Sequence, residues 1–134
     1  MVQVGSKNVT VSTNETFPLN NVVIEKGCTA VVRGNGIQFT KKGVYCVMVD
    51  ASLAPEADGE VMIQLTQNGI AVPHAVAEET GTAANVSNLG FNTLVLCPQD
   101  YNCCDCTAIP TSIALSNPGE NVTGDFNIVV TKIC

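Results

Sequence analysis

Short runs rich in Val, Ile and Thr recur along the whole chain, and Gly, Asn, Asp or Pro separates each run from the next. β-branched side chains favour the pleated surface of a sheet, and the separating residues are those that form tight turns. The pattern therefore predicts about ten short strands, near residues 2–4, 8–12, 21–25, 29–33, 37–40, 43–53, 60–67, 70–77, 90–97, 107–116 and 124–133.

The turn signals agree with this division. Asn68-Gly69 lies between two apolar runs and predicts a two-residue hairpin, because a type I′ turn needs positive φ at both central positions. Residues 75–84 form the one stretch that favours a helix, but Gly81 interrupts it. We interpret that stretch as a loop or a single helical turn. Many short strands without βα alternation predict an all-β jelly-roll sandwich, and the 134 residues predict one domain, 1–134.

Two of the predicted strands are apolar on both faces. Residues 43–49 read Gly-Val-Tyr-Cys-Val-Met-Val, and residues 91–96 are apolar in large part. A strand of a simple antiparallel sandwich exposes one face to water, and exposed apolar patches commonly mark interfaces. We interpret the second face as a contact with another subunit. A central strand covered by a loop is the alternative.

The composition narrows the range of partners. Charged residues make up 13% of the chain, and the net charge is −6. An acidic chain cannot neutralise phosphates, so neither nucleic acid nor an anionic membrane is an expected partner. The first residues lack the basic and apolar segments of a signal peptide, and the longest apolar run is far below the ~20 residues of a membrane-spanning helix. We therefore expect a chain made in the cytoplasm.

The order of several motifs resembles a known family. Residues 37–47 are similar to the strand pair of tumour necrosis factor/complement C1q-like jelly rolls, in which Phe39 is followed by Gly43 and Tyr45. Residues 61–69 resemble the hairpin of that family that ends in Asn-Gly. Residues 93–96, 113–115 and 124–130 resemble its later strands, so the similarity covers the chain from about residue 21 onward.

Within that superfamily the low charge and the Asn, Thr and Ala content look most like versions from bacteriophages and from Firmicutes spore surfaces. The resemblance implies a homotrimer without catalytic residues or cofactors. This chain departs from the spore-surface versions because it has no collagen-like stretch. Residues expected in the trimer interface or core are Phe39, Tyr45, Val47, Leu94, Leu96, Phe126 and Ile128.

Seven cysteines, an odd number, leave at least one thiol without an intramolecular partner. The spacing of Cys97, Cys103, Cys104 and Cys106 fits the usual zinc-ligand pairs poorly. A disulfide from Cys97 to one of the other three and free thiols are both open interpretations. The resemblance places an early strand beside the last one, which implies a Cys28–Cys134 pair; an interchain bond from Cys134 is the rival.

Other candidate chemistry is weak. His74 is the only histidine, and no nucleophile motif surrounds it. Glu78 and Glu79 are adjacent, so they would point to opposite faces of a strand. Acidic residues near the turn at Asp58 and Gly59 match no calcium-loop motif, so a solvated turn is the preferred interpretation. We therefore expect no enzyme and no metal site.

These observations lead to a ranked set of functional hypotheses. The first is a trimeric structural or adhesion module of a phage virion, as a head fibre, decoration or tail-associated protein. It would contact capsid or tail proteins and bind host-surface or mucus glycans through repeated weak sites. The second is a bacterial or spore-surface filament tip of the same fold. The third is a small carbohydrate-active enzyme on a jelly roll.

Overall fold

The computed structural model describes residues 1–100 and 110–134. Every regular element in those residues is a β-strand. The strands are β1 (Val2–Val11), β2 (Glu15–Thr16), β3 (Val22–Glu25), β4 (Ala30–Arg33), β5 (Gly36–Phe39), β6 (Gly43–Pro55), β7 (Gly59–Gln67), β8 (Ile70–Gly81), β9 (Ser87–Cys97), β10 (Ser112–Asn117) and β11 (Val122–Lys132).

The strands form two antiparallel sheets. The front sheet has the order β3-β1-β11-β6-β9. The back sheet has the order β4-β5-β10-β7-β8, and β2 pairs with β10 at its side. The first strand thus lies beside the last one, β11, in the middle of the front sheet. This arrangement confirms the predicted all-β jelly-roll sandwich.

The core lies between the sheets, where every second residue of each strand points inward. On β6, Tyr45, Val47 and Val49 are buried against the back sheet. The rings of Phe39 and Tyr45 stack with their centroids 4.2 Å apart. Burial of an aromatic hydroxyl is costly unless it is hydrogen-bonded, and the Tyr45 hydroxyl lies 2.6 Å from the Lys41 carbonyl and 3.0 Å from that of Thr29.

The interpretation of residues 75–84 as a loop or helical turn is wrong. Strand β8 continues to Gly81, because its backbone pairs with β7 as far as Gly59. Gly81 is the point where two layers meet closely. A Cβ atom there would lie 2.8 Å from Val61 Cγ2 and 3.0 Å from Pro55 Cγ, so the glycine serves packing and does not break the strand.

The N-terminal region also differs from the prediction. The two strands expected at 2–4 and 8–12 are one strand, β1, with an irregularity between Ser6 and Val9. Asn8 adopts a φ of 55° there, a conformation that asparagine tolerates better than most residues. Its backbone N–H donates to Asp125 Oδ1 at 3.0 Å, which ties the irregularity to β11.

The two ends of the sandwich are built differently. At one end, which we call the cysteine-rich end, Cys97 closes β9 opposite Gly43, and Cys134 follows β11. Cys28 lies there too, since Thr40 donates a hydrogen bond from its hydroxyl to the Cys28 carbonyl. Met1 also lies at this end, where its ammonium group donates to the Lys26 carbonyl at 2.7 Å.

The opposite end, which we call the asparagine-braced end, is held by side-chain amides. Asn117 is fully buried, and its amide nitrogen donates to the carbonyls of Val11 and Glu120 at 3.1 and 2.9 Å. Its Oδ1 accepts the backbone N–H of Gly119 at 3.0 Å. Nearby, Asn121 Oδ1 accepts the Thr13 backbone N–H at 2.8 Å. These bonds join the β1–β2 and β10–β11 connections.

Candidate functional site

In residues 1–100 and 110–134, no further strand packs on the outer face of the front sheet. Residues paired across β1, β11, β6 and β9 share a face, so they form rows that cross the sheet. Three rows nearest the cysteine-rich end are mainly apolar. In order from that end they are Ile133, Val44 and Leu96; Thr131, Cys46 and Leu94; and Ile24, Gln3, Val129, Met48 and Asn92.

We call these three rows the apolar half of the face. Leu94 and Leu96, on the edge strand β9, are 60% and 61% exposed. Met48 and Ile133 are exposed beside them. Large apolar side chains gathered on one exposed face are typical of an interaction surface, whereas single exposed ones are common on any protein.

The rest of the same face is polar and concave. Gly5, Asn127, Asp50 and Gly90 form one row, and Asp125, Ser52 and Asn88 form the next. We call these two rows the polar trough. They contribute to a cavity of about 730 Å³ whose other lining residues include Lys7 and Asn21. The face therefore divides into an apolar half and a polar half along the strand direction.

The structure separates the seven residues predicted for interface or core into two groups. Leu94 and Leu96 lie on the outer face, in the apolar half. The other five are buried between the sheets: Phe39, Tyr45, Val47, Phe126 and Ile128. The list of interface or core residues predicted from the sequence did not include Val44, Met48 or Val129. Val44 and Met48 could have been found from the alternation of residues 43–49, since one face of that strand belongs to the core and the other to the surface.

The four cysteines in the described residues are free thiols in this structure. Cys97 is buried, and its thiol donates to the Gln99 carbonyl at 3.3 Å. Cys46 is half-buried in the apolar half, while Cys28 and Cys134 are exposed. Cys103, Cys104 and Cys106 lie outside the described residues. The Cys28–Cys134 pairing and a disulfide from Cys97 therefore stay predictions.

Burial perturbs one titratable group near these thiols. Burial raises the pKa of the Tyr45 hydroxyl above its ordinary value of 10.0, because the phenolate would lose its water. The neighbouring Cys97 and Asp100 raise the same pKa further, since a thiolate or carboxylate repels a second negative charge, and a hydrogen bond to the Lys41 backbone partly opposes them. Tyr45 is therefore a neutral structural hydroxyl at physiological pH.

The carboxylates near Asp58 accept hydrogen bonds from neighbouring groups of the protein. Asp58 Oδ1 accepts the backbone N–H of Ala83 at 2.8 Å, and Glu60 Oε1 accepts the Thr80 hydroxyl at 3.0 Å. Glu56 Oε2 accepts the Asn121 amide at 3.4 Å. Across residues 1–100 and 110–134, no group of three or more His, Cys, Asp and Glu side chains could hold a metal ion.

His74 lies on β8 in the back sheet and is exposed. Within the part of the chain that the structure describes, His74 forms no side-chain hydrogen bond to a nucleophile or a carboxylate. Those same residues contain no helix long and apolar enough to cross a lipid bilayer.

Two layers in this strand order, with the first and last strands adjacent, define a tumour necrosis factor/C1q-like jelly-roll fold. Solved structures of that kind superpose on nearly the whole chain. The globular domain of zebrafish complement 1qA protein matches with a TM-score of 0.65 and 8% identity over 96% of this chain and 94% of that one. Murine APRIL matches with a TM-score of 0.65 and 11% identity, over 98% of each chain.

PRD1 vertex protein P5 is similar to the same extent. Its TM-score is 0.66 and its identity 13%, over 99% of this chain and 96% of that one. At such identities the likeness is one of fold alone. No protein-family model matches the chain, and no curated protein sequence matches it either.

Proposed function

We propose that this chain is a non-enzymatic, homotrimeric structural and adhesion module of a bacteriophage virion, where it serves as a head fibre, decoration or tail-associated protein. The observation that carries the proposal is the apolar half of the front-sheet face. Within the residues that the structure describes, no strand or loop forms a second layer above those rows, and a copy of the same chain would supply one.

The exposed leucines allow an estimate of the free energy that burial in an interface would contribute. Full burial of a leucine side chain contributes about 1.5–3 kcal/mol. Leu94 and Leu96 keep more than half of their surface in water, so covering them would contribute about 1 kcal/mol or more each in every subunit. Met48 and Ile133 add to this area. Because every subunit of a closed ring makes the same contact, the free energy of burial is contributed once per subunit.

The sign and density of charge also favour self-association. The apolar half contains no Asp, Glu or Arg, and Lys132, the neighbouring cation, is half-buried on the opposite side of β11. Three copies of this face can therefore meet around a threefold axis without burying unpaired charges, which would be costly.

The phage setting has separate support. The fold is that of PRD1 vertex protein P5, among other solved structures, and the low charge and Asn/Thr-rich composition fit the phage versions of the resembled family. The proposed partners in the virion are capsid or tail proteins. The non-enzymatic role is supported by Asp58, Glu60 and Glu56, whose carboxylates each accept a hydrogen bond from a neighbouring group of the protein.

Light scattering coupled to size-exclusion chromatography tests the assembly. The wild-type chain is expected to elute with three times the 14.0 kDa of one chain. Leu94→Asp and Leu96→Asp place charges in the apolar half and are expected to give monomers with unchanged circular dichroism. A matched control is Ile70→Asp, since Ile70 is 74% exposed but lies on the back-sheet hairpin.

A wild-type monomer, or a trimer that both leucine variants leave intact, would contradict the proposed interface. The virion role needs a separate measurement. Mass spectrometry of gradient-purified particles is expected to detect peptides of this chain in stoichiometric amounts with a major capsid or tail protein. Their absence from the particles would contradict the virion role and leave the assembly result unaffected.

A further inference from the structure

Two glycines lie at the ends of one of the two rows that form the polar trough. Gly5 and Gly90 lie on either side of Asn127 and Asp50. A Cβ at Gly90 would lie 2.9 Å from Asp50 Oδ1, and a Cβ at Gly5 would lie 3.2 Å from Asn127 Oδ1. The missing side chains leave room beside the two polar groups. Gly5, Asn127 and Asp50 line an open cavity of about 730 Å³, which is within the volume range of small-ligand sites, about 300–1,000 Å³.

The hydrogen bonds within the trough use up particular atoms and leave others free. Asn127 Oδ1 accepts the Gln3 side-chain amide at 3.0 Å, and Asn88 Oδ1 accepts the Ser52 hydroxyl at 2.7 Å. Each asparagine therefore keeps its NH₂ group as a donor. In the described residues no hydrogen bond reaches the carboxylate of Asp50, which keeps both oxygens as acceptors.

The spacing of these groups suits adjacent hydroxyls. Neighbouring strands lie about 4.8 Å apart, and residues two positions along a strand lie about 6.7 Å apart. Asp50 and Asn127 are cross-strand partners, and Asn88 lies in the next row. A sugar hydroxyl both donates and accepts, so one hydroxyl can donate to Asp50 while it accepts from the Asn127 amide, and the next can accept from Asn88.

Charge narrows the ligand class further. Asp50, Asp125 and Lys7 line the trough, and the chain has a net charge of −6, so an anionic ligand would be repelled. A metal cation would meet the ammonium group of Lys7, and the two asparagine oxygens are already engaged. An uncharged ligand rich in hydroxyl groups satisfies the free donors and acceptors without either penalty.

We propose that the polar trough binds a neutral saccharide unit through Asp50, Asn127 and Asn88. This inference rests on the proposed function in one respect, because it gives the adhesion role its ligand class and a site. The trough occupies the polar half of the front-sheet face and does not include the residues of the apolar half. Three subunits would carry three such sites, and multivalency would raise their combined avidity.

Titration of the ¹⁵N-labelled full chain with methyl glycosides of glucose, galactose, mannose and N-acetylglucosamine tests the site by two-dimensional NMR. At least one glycoside is expected to shift backbone amides of residues 50–52, 88–90 and 125–127 with a millimolar Kd. Asp50→Asn replaces the free carboxylate and is expected to raise that Kd by about tenfold or more. Ser52→Gln is expected to abolish the shifts by filling the trough.

The matched control is Glu79→Ala, which removes an exposed carboxylate from the back sheet and is expected to leave the Kd unchanged. Shifts produced by Ca²⁺ and by none of the glycosides would overturn the proposal, as would glycoside shifts at other residues. Equal binding by Asp50→Asn and wild type would also overturn it.

Light scattering on the same samples separates this inference from the proposed assembly. If the wild type is a monomer and binds a glycoside in the trough, the proposed trimer is wrong and the proposed site is supported. If the wild type is a trimer and binds no glycoside, the proposed site is wrong and the trimer is supported. Binding by Leu94→Asp with none by wild type would overturn the site, since the assembled face would then cover the trough.

Discussion

The two ends of the sandwich use different means to hold their loops. At the asparagine-braced end, the buried amide of Asn117 bonds to the carbonyls of Val11 and Glu120, and Asn121 bonds to Thr13. At the cysteine-rich end, loops are joined by hydroxyls, as when Tyr45 and Thr40 bond to backbone carbonyls. The described thiols at that end are free. Stability in water should therefore depend far more on the first end than on the second.

The largest effect is expected at Asn117. Asn117→Ala removes donors from two carbonyls in a fully buried setting, and each unsatisfied buried group costs about 1–3 kcal/mol. We expect the free energy of unfolding to fall by about 2–4 kcal/mol, measured by urea denaturation. Asn20→Ala is the control, since Asn20 is exposed. A loss at Asn117 no greater than that of the control would mean that the brace is not needed.

An intermediate effect is expected at Tyr45. Tyr45→Phe keeps the ring stacked on Phe39 but removes the hydroxyl that bonds to Lys41, for an expected loss of about 1 kcal/mol. The pKa of the wild-type hydroxyl is raised on folding, so its contribution is complete below pH 10.0, the ordinary value for tyrosine. It declines as the pH rises through the higher folded value, because only the unfolded chain ionises easily there.

The difference in stability between wild type and Tyr45→Phe should therefore shrink above pH 10.0, and urea titrations at several pH values measure it. A difference that stays constant across that range would show that the folded and unfolded hydroxyls titrate alike.

The smallest effect is expected from the exposed thiols. In reducing buffer, Cys28→Ser with Cys134→Ser should change the free energy of unfolding by less than about 0.5 kcal/mol, as exposed substitutions usually do. Repeating the measurement without reductant sharpens the comparison. A wild type that becomes more stable than the double variant by about 2–4 kcal/mol only in oxidising buffer would establish the predicted Cys28–Cys134 pair and make the two ends alike.

Much of this fold could be predicted from the sequence, because strand periodicity and turn residues are local signals. The Asn68-Gly69 hairpin is an example, since Asn68 and Gly69 both have the positive φ that the turn requires. The end of β8 could not be predicted, because pairing with β7 overrides the weak helical preference of residues 75–84. From the local sequence, Gly81 indicates a break in regular structure. In the structure a glycine is needed at this position because a Cβ would lie too close to Val61 of another strand.

Part of the candidate site could be predicted because the alternation of residues within one strand is also a local signal. The doubly apolar residues 43–49 predict an apolar outer face, and the rows on either side of Cys46 are mainly apolar. The polar trough could not be predicted, since its residues come from strands far apart in sequence: Gly5 near the start, Asp50 and Gly90 in the middle, and Asn127 near the end. Only the register of the front sheet brings these four residues into one row.

The position of Met1 and Cys134 at the same end has a practical consequence. Any polypeptide fused to either terminus would leave the sandwich beside Lys26 or Gly43, so its tether would point away from the Asn117 brace. The loops at 12–14, 56–58 and 118–121 would then face outward, unhindered by the payload. In the proposed trimer, fused proteins would lie at one end, and the loops of the opposite end would be available for grafted peptide epitopes.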